Sequence, residues 1–202
     1  MALLSCAKTS TTFLKRGPVM AKTPALLAVT FFGLLLLYST QGRAAEEYEI
    51  KAGLLFNFVK YVAWPEKDFS APETPFVIGI LGKDPFGKVL DQTVTGEDRK
   101  IKGRLILVKR FGSLEEIAGC HVLFITEAEQ KRWPQIKQSL AGSHVLTVGE
   151  SDLFADSGGV IGLYKEKNRI RFVINVDAAR RAELTIDSTM LNLARIVRDE
   201  VR

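Results

Sequence analysis

Four short apolar runs restrict the fold of this chain more than any other feature of its sequence. Each run is rich in β-branched and aliphatic residues, and each is too short to form a buried helix. The runs cover residues 75–82, 104–110, 120–126 and 144–150. In residues 75–82 the apolar residues are nearly continuous, which is typical of a strand that is buried on both faces of a parallel sheet.

Helix signals lie before and between these runs. The apolar residues of Ile50–Trp64 fall within about half of a helical circumference, and Pro65 ends that helix because the residue before a proline is disfavoured in helical conformation. Asp84 and Pro85 predict a cap and a first turn, and two capping boxes predict further helices. The predicted helices are Ile50–Trp64, Pro85–Val94, a short helix opened by Ser113 to Glu116, and a helix from Thr126 to Leu140.

The pattern changes in the last quarter of the chain. Residues 160–176 read as two strands joined by a polar turn at residues 165–168, which predicts an antiparallel hairpin. Asp177 is expected to cap a helix over Ala178–Glu183, and Ser188 to cap a last helix through Val197. The predicted fold is a single-domain α/β three-layer sandwich, with a mostly parallel sheet and an antiparallel edge hairpin.

The first 44 residues are typical of a secretory signal peptide. They contain five basic residues and no acidic residue, and the run Ala25–Tyr38 is apolar. This run is shorter than the ~20 residues that a membrane-spanning helix needs. Gly42 and Ala44 are small residues at the expected cleavage positions, so we predict cleavage after Ala44. Met20 is an alternative start of translation, and the predicted mature domain covers residues 45–202.

Without the signal peptide the chain has equal numbers of basic and acidic residues. The full sequence has 28 basic and 23 acidic residues, and residues 45–202 have 23 of each. A balanced domain gives no electrostatic reason to expect nucleic acid binding, and direct membrane insertion is not expected. One of the two cysteines remains, Cys120. It opens an apolar run, which favours burial, and the alternatives are a bridge between chains or a reactive site.

The sequence contains no recognisable catalytic or metal-binding motif. His121 and His144 each stand at the start of a predicted strand, without the neighbours that a metal site requires. The glycines of residues 79–87 lack the spacing of a phosphate-binding loop. Asp152 and Asp156 are interpreted as turn residues. We therefore expect no enzyme, no cofactor and no metal.

Several segments together resemble the YfiR family of periplasmic proteins. They are EYEIKAGLLFNFVKYVAWP, PFVIGILGKDPFG, CHVLFIT and RIRFVINVDAARRAELTIDSTMLNLARIV, with a pair of glycines before an apolar strand. They occur in order between Glu47 and Val197.

The resemblance implies a periplasmic repressor that binds the sensor region of a YfiN-type membrane diguanylate cyclase. Such binding lowers cyclic di-GMP synthesis and biofilm formation. An outer-membrane lipoprotein is a second candidate partner, and we expect a homodimer. Disulfides in the family support folding and redox sensing. Cys120 occupies a family cysteine position without its usual partner, and it is the redox candidate of this chain.

Two groups of residues are candidates for partner binding. On the predicted first helix, Phe56 and Trp64 lie outside the main apolar stripe and flank a polar face that includes Lys60. Trp64 either folds under the helix end and packs on the sheet or forms a subunit contact.

The second group lies where the hairpin meets the next helix. It is interpreted either as a capped helix with a solvated basic face or as a partner site, and its members are Asn175, Asp177, Arg180 and Arg181.

An alternative function is the sensing or binding of a small molecule in the periplasm. The ligand would occupy the crevice at the carboxyl ends of the parallel strands. The residues expected there are Gly82 to Asp84, Thr126 and Gly149 to Asp152.

Overall fold

A computed structural model of the protein describes residues 45–117 and 119–199, apart from the side chain of Glu97. Within these ranges the helices are α1 (residues 45–61), α2 (Val89–Val94), α3 (Glu127–Gln130), α4 (Trp133–Ser139), α5 (Asp152–Asp156), α6 (Val176–Arg181) and α7 (Ser188–Leu191). The strands are β1 (Val62–Ala63), β2 (Phe76–Leu81), β3 (Ile106–Phe111), β4 (Val122–Ile125), β5 (Leu146–Gly149), β6 (Ile161–Glu166), β7 (Arg169–Asn175), β8 (Thr185–Ile186) and β9 (Arg195–Val197).

The main sheet has seven strands in the order β3-β2-β4-β5-β6-β7-β9. The first five strands of this order are parallel to one another. The hairpin of β6 and β7 is antiparallel, and β9 then pairs parallel to β7 at the edge. The predicted α/β class and the mostly parallel sheet with a hairpin towards one side are confirmed.

The central strands are buried because both faces of the sheet are covered. All six residues of β2 and all four residues of β4 and of β5 are buried. Gly79 in β2 allows the ring of Phe111 to approach its backbone closely, since a Cβ atom at Gly79 would lie 2.4 Å from Cε2 of Phe111. The absence of a side chain at Gly79 therefore lets Phe111 of the neighbouring strand pack across β2.

Two hydrophobic cores lie on opposite faces of the sheet. The sheet and the helices that cover its two faces are the three layers. On one face, α1, α2 and α6 cover residues such as Ile78, Phe124 and Val148. On the other face, α4, α5 and the segment before β4 cover Leu81 and Ile125. Successive strand residues alternate between the two cores, as the pleat of a strand requires.

The first helix ends earlier than the sequence predicted. Helical conformation stops at Tyr61, and β1 follows at once and pairs antiparallel with β8. Val62 lies opposite Ile186 in this small second sheet. Pro65 disfavours helical conformation at Trp64, and pairing with a distant strand draws the β-branched Val62 out of the helix as well.

Three of the predicted helices between the strands differ from the prediction. No helix forms over residues 113–116; instead the Glu116 carboxylate accepts a hydrogen bond from the Gly112 N–H at 3.1 Å. The helix expected from Thr126 to Leu140 is divided into α3 and α4. Pro134 lies in the first turn of α4, where a proline is tolerated because that turn lacks intrahelical N–H bonds. The helix expected from Pro85 begins only at Val89.

The C-terminal segment differs most from the prediction. Asp187, not Ser188, caps α7 by accepting a hydrogen bond from the Thr189 N–H at 2.7 Å. The helix expected to reach Val197 ends at Leu191, and the chain returns as β9. Ile196 and Val197 are β-branched residues that suit a strand, and β7 supplies the partner for their backbone.

Candidate functional site

Trp64 lies under the end of α1 and not on the surface. Its side chain is 9% exposed, and its ring centroid lies 5.4 Å from that of Phe76 and 5.9 Å from that of His121. This is the first of the two alternatives considered for this residue. The indole Nε1 has no hydrogen-bond partner within the described part of the chain. Trp64 therefore stabilises the contact between the helix end and the sheet.

The other two candidate residues of α1 are nearer to solvent. Phe56 is half-buried, and the guanidinium carbon of Arg99 lies 5.3 Å from its ring centroid. Lys60 is exposed, with its Nζ 5.2 Å from the ring centroid of Tyr61. Such exposed cation–π pairs contribute ~0.5–1 kcal/mol. These contacts leave both side chains accessible, and partner binding by Phe56 and Lys60 stays a prediction.

An apolar groove lies between α1 and α7. Its volume is about 220 Å³, and it is lined by Leu54, Asn57, Phe58, Tyr61, Phe172, Thr189, Met190 and Leu193. Leu193 is 69% exposed. Sequence analysis did not select this residue, because a single exposed apolar residue in a predicted helix is ordinary. Thr189 and Met190 of α7 line the groove, as does Leu193 just after α7.

Asn175 is completely buried and caps α6. Its Oδ1 accepts hydrogen bonds from the N–H groups of Asp177 at 3.0 Å and Ala178 at 2.9 Å. Its Nδ2 donates to the carbonyl oxygen of Ala155 and to Oδ1 of Asp199, both at 2.9 Å. The cap was predicted to be Asp177, and the structure corrects this. Asn175 has no exposed surface of its own to offer a partner.

The remaining residues of the second group are brought together around Asp199. The Asp177 carboxylate pairs with Arg180 at 3.2 Å and accepts the Asp199 N–H at 3.1 Å. Arg181 pairs with the Asp199 carboxylate. Sequence analysis missed Asp199 because nothing local indicates that β9 carries it back to α6. Partner binding by Asp177, Arg180 and Arg181 stays a prediction, and all three are accessible to solvent.

The carboxyl ends of the parallel strands are covered by side chains of α1. Glu150, which follows β5, accepts hydrogen bonds from Lys51 Nζ at 2.7 Å and from the Tyr48 hydroxyl at 2.9 Å. Its second carboxylate oxygen accepts the Glu127 N–H at 3.1 Å. Burial, and then the charge of Glu150, raises the pKa of Tyr48. The ring of Phe86 packs edge-on against Tyr48 at 5.3 Å. Protein side chains therefore occupy part of the crevice that was considered for a ligand.

Cys120 is a free, buried thiol. Burial raises its pKa to about 12, so it is protonated at neutral pH. The thiolate is the reactive form of cysteine, which makes this side chain a poor nucleophile in the folded protein. The prediction of burial is confirmed.

The two histidines are held by separate contacts. Nδ1 of His121 accepts the Val77 N–H at 3.1 Å, and Nδ1 of His144 lies 2.7 Å from the Asp68 carboxylate. Over residues 45–117 and 119–199, no group of three or more His, Cys, Asp and Glu side chains is arranged to hold a metal ion. In the same ranges no helix has the length and apolar character to cross a membrane.

Comparison with known proteins gives a family match over most of the chain. A family described as YfiR/HmsC-like matches residues 48–195. Among solved structures, an ABC domain in complex with L-Trp from Streptococcus pneumonia aligns with a TM-score of 0.45 and 13% sequence identity. That alignment covers 60% of this chain and 55% of the other, so this chain spans little more than half of that structure.

Proposed function

The chain belongs to the YfiR/HmsC-like family, and from this premise we propose that it represses a membrane-bound diguanylate cyclase by binding the periplasmic sensor region of that enzyme. The family is regulatory and not catalytic, and it supports a periplasmic role in diguanylate cyclase signalling in general. In the proposed mechanism, binding of the repressor lowers cyclic di-GMP synthesis and hence biofilm formation. The match over residues 48–195 carries the proposal, since it spans nearly the whole described domain.

Export to the periplasm is part of this proposal. The signal peptide of residues 1–44, with its alternative start at Met20, lies outside the described residues. The composition of that segment supports export, and Ala45 is the proposed first residue of the mature protein.

We assign partner binding to the groove between α1 and α7 and to Phe56 and Lys60 of α1. A groove lined by apolar and aromatic side chains suits an apolar anchor residue of the cyclase. Interface energy is concentrated in such anchors, which contribute ~2 kcal/mol or more each. Phe56 and Lys60 are on the same helix, and Leu193 is the most exposed apolar residue of the groove.

Two equally exposed leucines provide a matched test of this surface. Leu193 is 69% exposed beside the groove, and Leu153 is 68% exposed on α5, at the opposite face of the sheet. Leu193→Asp should weaken binding to the purified periplasmic region of the cyclase by at least ~30-fold, which corresponds to ~2 kcal/mol. Leu153→Asp should bind like the wild type. Circular dichroism should show that both variants remain folded.

The cellular experiment measures cyclic di-GMP. Deletion of the gene should raise its level, and complementation with the full-length chain should restore it. Protein of residues 45–202 without the signal peptide should fail to restore the level. Unchanged cyclic di-GMP in the deletion strain, together with no binding of the purified protein to the cyclase region, would show the repressor proposal to be wrong.

The assembly state and the second partner are further parts of the proposal. We expect a homodimer, which light scattering after size-exclusion chromatography measures directly. Sequestration by an outer-membrane lipoprotein would compete with cyclase binding, so the lipoprotein should release the cyclase region from the repressor in a pull-down.

A further inference from the structure

The carboxylate of Asp199 is held in a site built by two other segments of the chain. Oδ1 accepts a hydrogen bond from Nδ2 of Asn175 at 2.9 Å, and Oδ2 accepts one from Arg181. Asn175 is completely buried, so its amide donor points at this carboxylate from the protein interior. A buried amide and a guanidinium together form a carboxylate-binding arrangement, because both donate hydrogen bonds and the guanidinium is charged.

A second cation approaches the same position. A Cβ atom added to Gly158 would lie 2.7 Å from Nζ of Lys137 and 3.8 Å from Nη2 of Arg181. Both cationic groups therefore lie close to Gly158, where a side chain would clash with Lys137. Gly158 has a φ of +94°, a conformation that residues with side chains rarely adopt. The hydrogen bonds from Arg181 and Asn175 lower the pKa of Asp199 below its ordinary value, and the charge of Lys137 acts in the same direction.

The site opens into two adjoining cavities. One has a volume of about 700 Å³ and includes Lys137, Gly158, Arg181 and Asp199 in its lining. The other has a volume of about 580 Å³ and shares the first three of these residues. The rest of its lining is mainly apolar and includes Trp133, Leu140, Val145, Val160, Ala178 and Ala182. An apolar cavity beside converging cations is suited to an anion that carries an apolar body.

The net charge of the residues that line the larger cavity depends on Asp199. Lys137, Arg181 and Arg198 line it, and the acidic residues of the lining are Asp156 and Asp199. With Asp199 displaced, three cations face one carboxylate there. The excess positive charge would then attract an anion from solution.

We propose that this is a carboxylate-binding site in which Asp199 acts as an internal ligand, and that a small external carboxylate with an apolar body displaces it. The external carboxylate takes the bonds to Arg181 and Asn175, and its apolar body enters the cavity beside Trp133. The proposal does not depend on the proposed repressor function, because it concerns the purified domain alone.

Benzoate and benzamide are suitable probes because they share a ring and differ in charge. Calorimetric titration uses the protein of residues 45–202 in three forms: wild type, Asp199→Asn and the double variant Asp199→Asn with Arg181→Gln. Asp199→Asn removes the internal anion and keeps the size of the side chain. Benzoate should bind Asp199→Asn at least tenfold more tightly than it binds the wild type. Benzamide should bind the wild type and Asp199→Asn equally weakly. The double variant should lose the tenfold gain in benzoate affinity.

Two further measurements make the result decisive. Intrinsic fluorescence on a Trp64→Phe background reports Trp133, whose Nε1 donates to the Ser157 carbonyl oxygen at 3.0 Å. Benzoate should change this signal, and acetate at equal concentration should change it less because acetate has no ring. Equal benzoate affinity of the wild type and Asp199→Asn, or a gain that persists without Arg181, would overturn the proposal. If Asp199→Asn does not fold, Lys137→Met on the wild-type chain should lower benzoate affinity, and unchanged affinity would again overturn the proposal.

Discussion

Replacement of Lys51 by methionine should be among the most damaging single changes to this domain. The side chain of Lys51 is 6% exposed and that of Glu150 is 9% exposed, with 2.7 Å between Nζ and Oε1. Methionine keeps most of the volume of lysine but leaves the Glu150 carboxylate buried without its cation. Tyr48 and the Glu127 N–H still bind this carboxylate, but both donors are neutral. Removal of one partner of a buried ion pair costs ~3–5 kcal/mol.

The expected loss is large compared with the total stability of a domain this size. Free energies of unfolding are ~5–15 kcal/mol, and each kcal/mol shifts the melting temperature by ~2–4 °C at this length. Lys51→Met should therefore lower the melting temperature by ~6–20 °C. The measurement is thermal and urea unfolding of residues 45–202, followed by circular dichroism.

Lys165→Met is the matched control for this experiment. Lys165 and Lys51 both pair with Glu47, at 3.2 Å and 2.8 Å, but the Lys165 side chain is 46% exposed. An exposed pair contributes at most ~1 kcal/mol. The double variant Lys51→Met with Glu150→Gln should be more stable than Lys51→Met alone, because no unpaired charge remains buried. Equal losses for Lys51→Met and Lys165→Met would refute the argument that burial makes this pair important.

Two further predictions concern Cys120 and His121. Cys120 should react with a thiol reagent at neutral pH at least tenfold more slowly in the native protein than in urea, because its thiol is buried and its pKa is raised to about 12; rapid native labelling would contradict the assigned burial. Burial lowers the pKa of His121 below 6.5, so the unfolded chain binds a proton more readily and stability should fall as the pH drops through ~6.5. Urea unfolding at pH 7.5 and 5.5 should show a smaller difference for His121→Asn than for the wild type, and an equal difference would contradict this prediction.

Three central strands of the sheet were predictable from sequence because their burial leaves a strong local signal. The apolar runs at residues 75–82, 120–126 and 144–150 each contain a strand that is buried along its whole length. In a domain of this size, such a short apolar run has few possible structures other than a buried strand. The predicted hairpin was also found, because its polar turn separates two strand-like segments.

The C-terminal segment could not be predicted in the same way. Residues 188–197 have apolar positions that suit one face of a helix, and nothing local contradicts that interpretation. β9 forms because β7 presents an unpaired edge, which is a property of the folded sheet and not of the segment itself. The contact of Asp199 with Arg181 depends on this return of the chain. The sequence therefore indicated the residues of α6 but not the carboxylate that they bind.

The pairing of β1 with β8 has a consequence for the order in which the protein can fold. Val62 lies opposite Ile186, so the end of the first helix is secured by residues near the other end of the domain. Pairing between such distant segments has an entropic cost of loop closure before any stabilising contact forms. This cost slows folding. A chain that emerges with its N-terminus first leaves β1 and the outer edge of β7 unpaired until β8 and β9 follow. These two pairings can therefore form only after almost all of the chain has been synthesised.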